Sequence, residues 1–386
     1  MTKHIALLIS SLLLSTATAF SQGGNTGFGD GDKESESLSA RLLHLEKKTD
    51  AFNLYINAAA SAQATQTGEN WDGAFRARHL RVEMKGQIGE RIHYRLRHRL
   101  NAPNAQNSLE GFSDATDIMM IGWSINEHWA LSGGKMCQFW GGFEFDENPL
   151  YIYRYSDLLN HMDVFFAGAA VSWTPLKSQE FVLNVANSFN HSFSETFGPA
   201  PVTVAGDAIE AATVPLTYIL NWNGHFLDGR LKTRWGAGVI TEAKGRYSKM
   251  AFLGQALSLS RFQIYLDYMG AWEDVDHFGI ASAELGALQE KVNYNSLVLK
   301  ANWQPLPRLN LMGKGMYETA TAPGAGTYRQ SVGYAAAIEY FPADGQDLRI
   351  FLAASGNERQ FKTDVINPIK HELRIELGFM YRLKAF

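Results

Sequence analysis

The sequence predicts an all-β protein, a 16-stranded antiparallel transmembrane β-barrel preceded by a short N-terminal periplasmic helix. Three observations predict it. Apolar and polar residues alternate with a period of two from residue 51 to the C-terminus. The segments that alternate are separated by connections that are short and long by turns. No stretch beyond the N-terminus comes near the 18 consecutive apolar residues of a membrane helix.

The N-terminal 50 residues are of another kind. Lys3 and His4 precede an apolar run from Ile5 to Leu14, and Ala17-Thr18-Ala19 has the form of a cleavage site. Residues 1–19 therefore read as a secretion signal. Residues 20–50 read as a periplasmic linker and short helix. The linker is rich in Gly, Asp, Ser and Glu, and Gly29-Asp30-Gly31-Asp32 lacks the ligand spacing of a calcium loop. Within residues 37–50, Ser37 can cap a helix whose Leu38, Leu42 and Leu45 share a face.

Residues 51–386 are the expected barrel. In a strand, successive side chains point to opposite faces. Leu373, Ile375, Leu377, Phe379, Tyr381 and Leu383 alternate with Glu372, Arg374, Glu376, Gly378, Met380, Arg382 and Lys384. Arg91, His93, Arg95, Arg97 and Arg99 alternate with Ile92, Tyr94, Leu96, His98 and Leu100. Sixteen such segments fall near 52–65, 74–87, 90–101, 114–126, 129–141, 164–174, 180–190, 214–223, 229–241, 246–258, 261–273, 292–304, 308–319, 330–341, 347–356 and 371–386. The longer connections follow Gly141, Asn190, Glu273, Thr319 and Gly356, as expected of external loops opposite short periplasmic turns. An even strand number places both ends of the barrel on the short-turn side. Trp129, Trp140, Trp173, Trp222, Trp272 and Trp303 lie near strand ends, where indoles favour the membrane interface.

Charge and composition exclude several functions. The net charge of −4 argues against nucleic acid as a partner. Cys137 is the one cysteine, so no intrachain disulfide forms, and its apolar neighbours make it a small buried residue. The histidines have no metal spacing, no G-x-S-x-G is present, and neither a cofactor nor a metal is implied. The expected function is not enzymatic.

Two constellations carry candidate chemistry. The inward faces of the second and third strands hold Arg81, Lys85, Arg91, His93, Arg95, Arg97 and Arg99, with Glu83 among them. Arg230, Lys232 and Arg234 share a face further on. A row of cations in an aqueous lumen attracts anions, and it can equally be a solvated wall that keeps the lumen wet. Residues 142–163 form the third external loop, a candidate constriction. There Tyr151, Tyr153, Arg154, Tyr155 and Asp157 could line a solute path or pack against the wall.

The chain resembles the phosphate-selective porin O and P family of bacterial outer membranes. The resemblance rests on Phe75-Arg76-Ala77-Arg78-His79-Leu80-Arg81-Val82 through Tyr94-Arg95-Leu96-Arg97. It rests also on Gly134 through Asp146 with Asn148-Pro149 and Tyr151 to Asp157, and on a last strand ending in Phe386. The resemblance implies a porin in the outer membrane, a homotrimer in contact with its lipid, with an arginine ladder and a third loop folded into the lumen. Small polar or anionic solutes would be its cargo. Two departures stand out. The third loop sets Glu144, Asp146, Glu147, Asp157 and Asp163 against Arg154 alone, which argues for weak anion preference over phosphate selectivity. Leu383, Tyr381 and Phe379 are out of phase with Phe386. The rival expectations are a porin for neutral or cationic solutes and a closed structural or adhesive barrel.

Overall fold

The computed structural model describes residues 51–366 and 368–385. The expected signal, linker and helix, and the phase of Phe386, lie outside the described residues. Sixteen strands close one antiparallel barrel. In chain order the first seven strands are β1 (Asn53–Thr67), β2 (Asn70–Ile88), β3 (Ile92–Arg99), β4 (Thr116–Ser124), β5 (Trp129–Cys137), β6 (Phe165–Leu176) and β7 (Gln179–Asn187). A two-stranded hairpin of β8 (Val202–Val204) and β9 (Asp207–Ile209) stands apart in the loop that follows. The barrel resumes with β10 (Leu216–Phe226), β11 (Leu231–Ala243), β12 (Arg246–Ser258), β13 (Phe262–Val275) and β14 (Glu290–Leu306). It ends with β15 (Leu309–Ala322), β16 (Gly326–Tyr340), β17 (Asp347–Phe361) and β18 (His371–Lys384), and β18 pairs with β1 to seal the cylinder. Closure satisfies every strand edge, the condition for crossing a bilayer with β structure.

Each expected segment maps onto one barrel strand, but two connections differ. The strands flanking residues 320–329 run on until Ala322 pairs with Gly326, so a tight turn at Pro323-Gly324-Ala325 replaces the expected long loop. Positive φ at Gly324 and Gly326 makes that turn possible. Likewise β1 and β2 continue to a two-residue turn at Gly68 and Glu69.

The period-two pattern sorts the faces as expected. On β18, Ile375, Leu377 and Phe379 are exposed outward, while Glu376, Met380 and Arg382 are buried inside. Trp129 and Trp173 stack on the outer surface at 6.0 Å, both partly exposed. Trp140 does not join them. It is fully buried, its indole N–H donates to Gln138 Oε1 at 2.8 Å, and it stacks on Phe252 at 5.7 Å.

Trp140 belongs to a core inside the barrel that the alternation did not reveal. The connection from 138 to 164 turns inward and carries helices α1 (Phe143–Asp146) and α2 (Asp157–His161). Its Phe143, Phe145, Leu158, Leu159 and Met162 pack on Ile219, Met250, Tyr265, Met269 and Val298 of the wall. A fully buried side chain of this size contributes about 1.5–3 kcal/mol. The connection from 276 to 289 adds Phe278, Ile280 and Ala281 to the same core. It carries α4 (Ile280–Leu285), with α3 (Phe193–Phe197) in the connection between β7 and β10. The loops thus fill part of the barrel with a packed apolar interior, and buried polar side chains line other parts of the wall.

Candidate functional site

The inward loop is fastened to the wall by its own acids. Lys314 on β15 pairs with Glu144, Lys300 on β14 with Glu147, and Arg234 on β11 with Asp146 at 2.7 Å. Asp157 bonds to Arg359 at 3.3 Å and lies 3.6 Å from Arg329. Four of the loop's five acids therefore do not present their charge to the lumen, whereas Asp163, where the loop returns to β6, is exposed. Glu144, Glu147 and Asp157 are buried against wall cations, which also removes Arg234 from the expected free row.

Wall carboxylates also hold the loop's main chain. A helix begins with N–H groups that lack partners within it. Asp267 Oδ2 accepts from Phe143 N and Glu144 N, both at 2.7 Å, at the start of α1. Glu318 accepts from Asp157 N at 2.9 Å and from Leu158 N at 3.3 Å, at the start of α2. Close approach requires a bare wall at one point. A Cβ on Gly236 would lie 1.8 Å from the carbonyl oxygen of Trp140.

Three consecutive carbonyls form the tip. Arg78 on β2 donates to Ile152 O at 2.5 Å, Arg374 on β18 donates to Tyr153 O, and Lys314 donates to Arg154 O at 2.7 Å. The expected constriction residues divide accordingly. Tyr151 is buried beneath the Arg349 guanidinium, 3.8 Å from its ring centre, and its hydroxyl donates to Asp347. Tyr153 donates to Glu339 at 2.8 Å. Tyr155 is half-buried, and Asp157 is part of the fastening. Arg154 alone of the five carries a charge partly exposed to the lumen, bonded to Glu372 at 2.7 Å.

The arginine row is placed on the facing wall. Arg81, Arg97 and Arg99 converge on Asp117 at 3.1, 3.0 and 3.0 Å. A register shift between Arg97 and His98 accompanies the inward turn of Asp117 on β4. Arg95 is bound to Glu83 at 2.6 Å, and Lys85 lies 4.7 Å from the Tyr55 ring centre. His93 Nε2 is 3.2 Å from Ser124 Oγ. Arg91 and Arg230 are exposed in turns at the end opposite the long loops, and Lys232 is buried. The row is thus two neighbouring clusters, three arginines on Asp117 and Arg95 on Glu83. Arg78, Asp117, Lys314, Glu372 and Arg374 belong to the site but were not singled out from sequence. Alternation marked the inward faces of Lys314, Glu372 and Arg374, but Arg78 and Asp117 turn inward through register shifts that alternation does not show, and no spacing rule pairs a loop carbonyl with a distant strand.

At two ion pairs of the wall the exposure is unequal in sign. Asp117 is 1% exposed beneath Arg99 at 38%, and Glu376 is 1% exposed beneath Arg374 at 28%. At these two pairs the guanidinium stands in front and the carboxylate behind. Among the described residues no group of three or more His, Cys, Asp or Glu could hold a metal ion.

Comparison with known proteins agrees with this architecture. The family model described as phosphate-selective porin O and P matches residues 52–383. Among solved structures the chain is similar to the outer-membrane channel DcaP of Acinetobacter baumannii, with 11% identity, 86% of this chain and 97% of that one covered, and a TM-score of 0.57. It is similar to the trimer form of OmpT of Vibrio cholerae at 10% identity, with 86% and 100% covered and a TM-score of 0.56. It is similar also to an anion-selective porin from Comamonas acidovorans at 9% identity, with 86% and 99% covered and a TM-score of 0.54. No curated protein sequence matches the chain.

Proposed function

The chain belongs to the phosphate-selective porin O and P family and is an outer-membrane porin for solute diffusion, and from that premise we propose that its lumen weakly prefers anions. One observation carries the reading. On the polar side of the lumen, Arg99 and Arg374 are far more exposed than the acids that pair with them. A field set by forward cations and recessed anions favours anions without a deep trap, and conduction needs sites that release what they bind. Of the cations singled out from sequence, we assign the path to Arg81, Arg99 and Arg154. Arg95, Arg97, Lys85 and His93 support it from behind.

The fold and family are those of a channel rather than an enzyme. We propose a homotrimer, supported by the trimer form of the OmpT relative. Residues 1–19 are proposed to direct export, and residues 20–50 to stay in the periplasm. The zero-current potential of the purified protein in a planar bilayer, under a potassium chloride gradient, tests the anion reading. An anion-signed potential that fades in high salt is expected, because charges are screened beyond about 3 Å at 1 M. A cation-signed potential would overturn it.

A further inference from the structure

One acid breaks the pattern of recessed carboxylates. Glu372, near the start of β18, is 28% exposed, while Asp157 on the inward loop and Glu376 on the same strand are 5% and 1%. Its Oε2 lies between two guanidiniums, 2.7 Å from Arg154 Nη2 and 3.2 Å from Arg359 Nη2. Arg154 stands on the loop tip, its carbonyl held by Lys314, and Arg359 is fixed from behind by Asp157. Arg359 therefore keeps its guanidinium in place whether or not Glu372 is there, and Arg154 keeps its main chain at the tip.

We propose that Arg154 and Arg359 form an exchangeable carboxylate site, with Glu372 the internal occupant that a passing organic acid replaces. This rests on the anion reading above and names its solute class. A carboxylate already shows the fit, since one oxygen accepts from both guanidiniums. Of the acids paired with Arg154, Arg359 and Arg374, exchange is easy at Glu372. Pulling Asp157 or Glu376 from its partners would strand a buried charge, whereas Glu372 turns from its partners directly into lumen water.

The local charge also suits a monoanion. Arg329 is held by Glu284 and Asp157, and Arg359 by Asp157. Among the groups that ion-pair with one another here, three cations, Arg154, Arg329 and Arg359, thus face two fixed acids, Glu284 and Asp157. One positive charge remains, and one carboxylate balances it. A doubly charged phosphate would leave an excess negative charge beside Asp157. Glu372 acts as a built-in competitor, so organic acids pass with short residence instead of accumulating.

The test is block of chloride current by propionate, which matches the end of a glutamate side chain. Glu372→Ala opens the site, and Glu372→Gln keeps the shape without the charge should the alanine variant assemble poorly. Both are expected to be half-blocked at propionate concentrations about tenfold below wild type, with a smaller gain for inorganic phosphate. Adding Arg154→Gln to either should abolish the gain. Equal block of wild type and both variants overturns the site, as does a gain that survives loss of Arg154. A larger gain for phosphate overturns the carboxylate assignment. The wild-type zero-current potential is read separately. Cation bias there sinks the anion reading, whereas anion bias without a propionate gain sinks this site alone.

Discussion

Lys314 donates to the main-chain oxygen of Arg154 at 2.7 Å while pairing with Glu144 on the same loop. One wall lysine therefore fixes both the root and the tip of the segment that narrows the lumen. Removing it leaves Glu144 buried without its cation, and breaking a buried pair costs about 3–5 kcal/mol.

Lys314→Met should accordingly unfasten the loop without opening the barrel, whose ladders it does not touch. Single-channel recording should show a larger and noisier conductance, with heat-resistant migration on gels retained. Adding Glu144→Gln removes the stranded charge and should quieten the current. A Lys314→Met channel as quiet as wild type would show that the apolar core alone holds the loop.

Asp117 collects three arginines, so its loss should act on ion preference with opposite sign to theirs. Asp117→Asn is expected to move the zero-current potential toward anions, and Arg99→Gln toward cations. Arg95→Gln, which leaves buried Glu83 with Arg382 at 4.0 Å as an ion-pair partner, should instead lower the temperature of unfolding on gels with little change in preference. Equal potentials for all three variants would mean that solutes do not approach this wall.

On the outside, Ala58, Ala60 and Ala62 of β1 lie between Tyr381, Phe379 and Leu377 of β18 and Leu80, Ala77 and Phe75 of β2. Small residues flanked by large ones form a groove that admits a close neighbour in the membrane. Ala58→Leu with Ala60→Leu fills it and should weaken the oligomer in mild-detergent electrophoresis. An unchanged oligomer moves the interface elsewhere.

In the connection from 276 to 289, the His277 ring sits 5.1 Å from Phe189 and 5.6 Å from Phe278. Burial pushes its imidazole down to about 4. The packed loop refuses a proton that the loosened loop accepts at its ordinary value of about 6.5. Packing is therefore strongest above about pH 6.5 and weakens as pH falls toward about 4. Hydrogen exchange across residues 276–289, corrected for its intrinsic pH dependence, should accelerate in that window. His277→Phe should remove the acceleration. If the variant accelerates as much as wild type, another group drives it.

Much of this molecule is legible one residue at a time. Alternation alone assigned the outward Ile375, Leu377 and Phe379, and the inward Arg81, Arg95 and Arg97, because a strand has only two faces. The inward loop was located by its position in the connection order and by its resemblance to the family. Trp140 was misplaced because an indole near a strand end looks the same whether the chain continues outward or folds into the barrel. The acids of the loop were counted as lumen charge because a sequence gives formal charge without showing which charges meet.

The sequence by itself determined the strand number, the face of most strand residues and the family. These depend on the local period of two, which fails only where a bulge shifts the register, as at Asp117. Only the tertiary structure decided which charges a solute meets. Arg154 and Glu372 are 218 residues apart in the chain, and Lys314 and Arg154 are 160 apart. Such pairs form only when the barrel closes and the loop folds across it. Closure then buries most acids behind their partners, and Glu372 remains the partly exposed acid between Arg154 and Arg359.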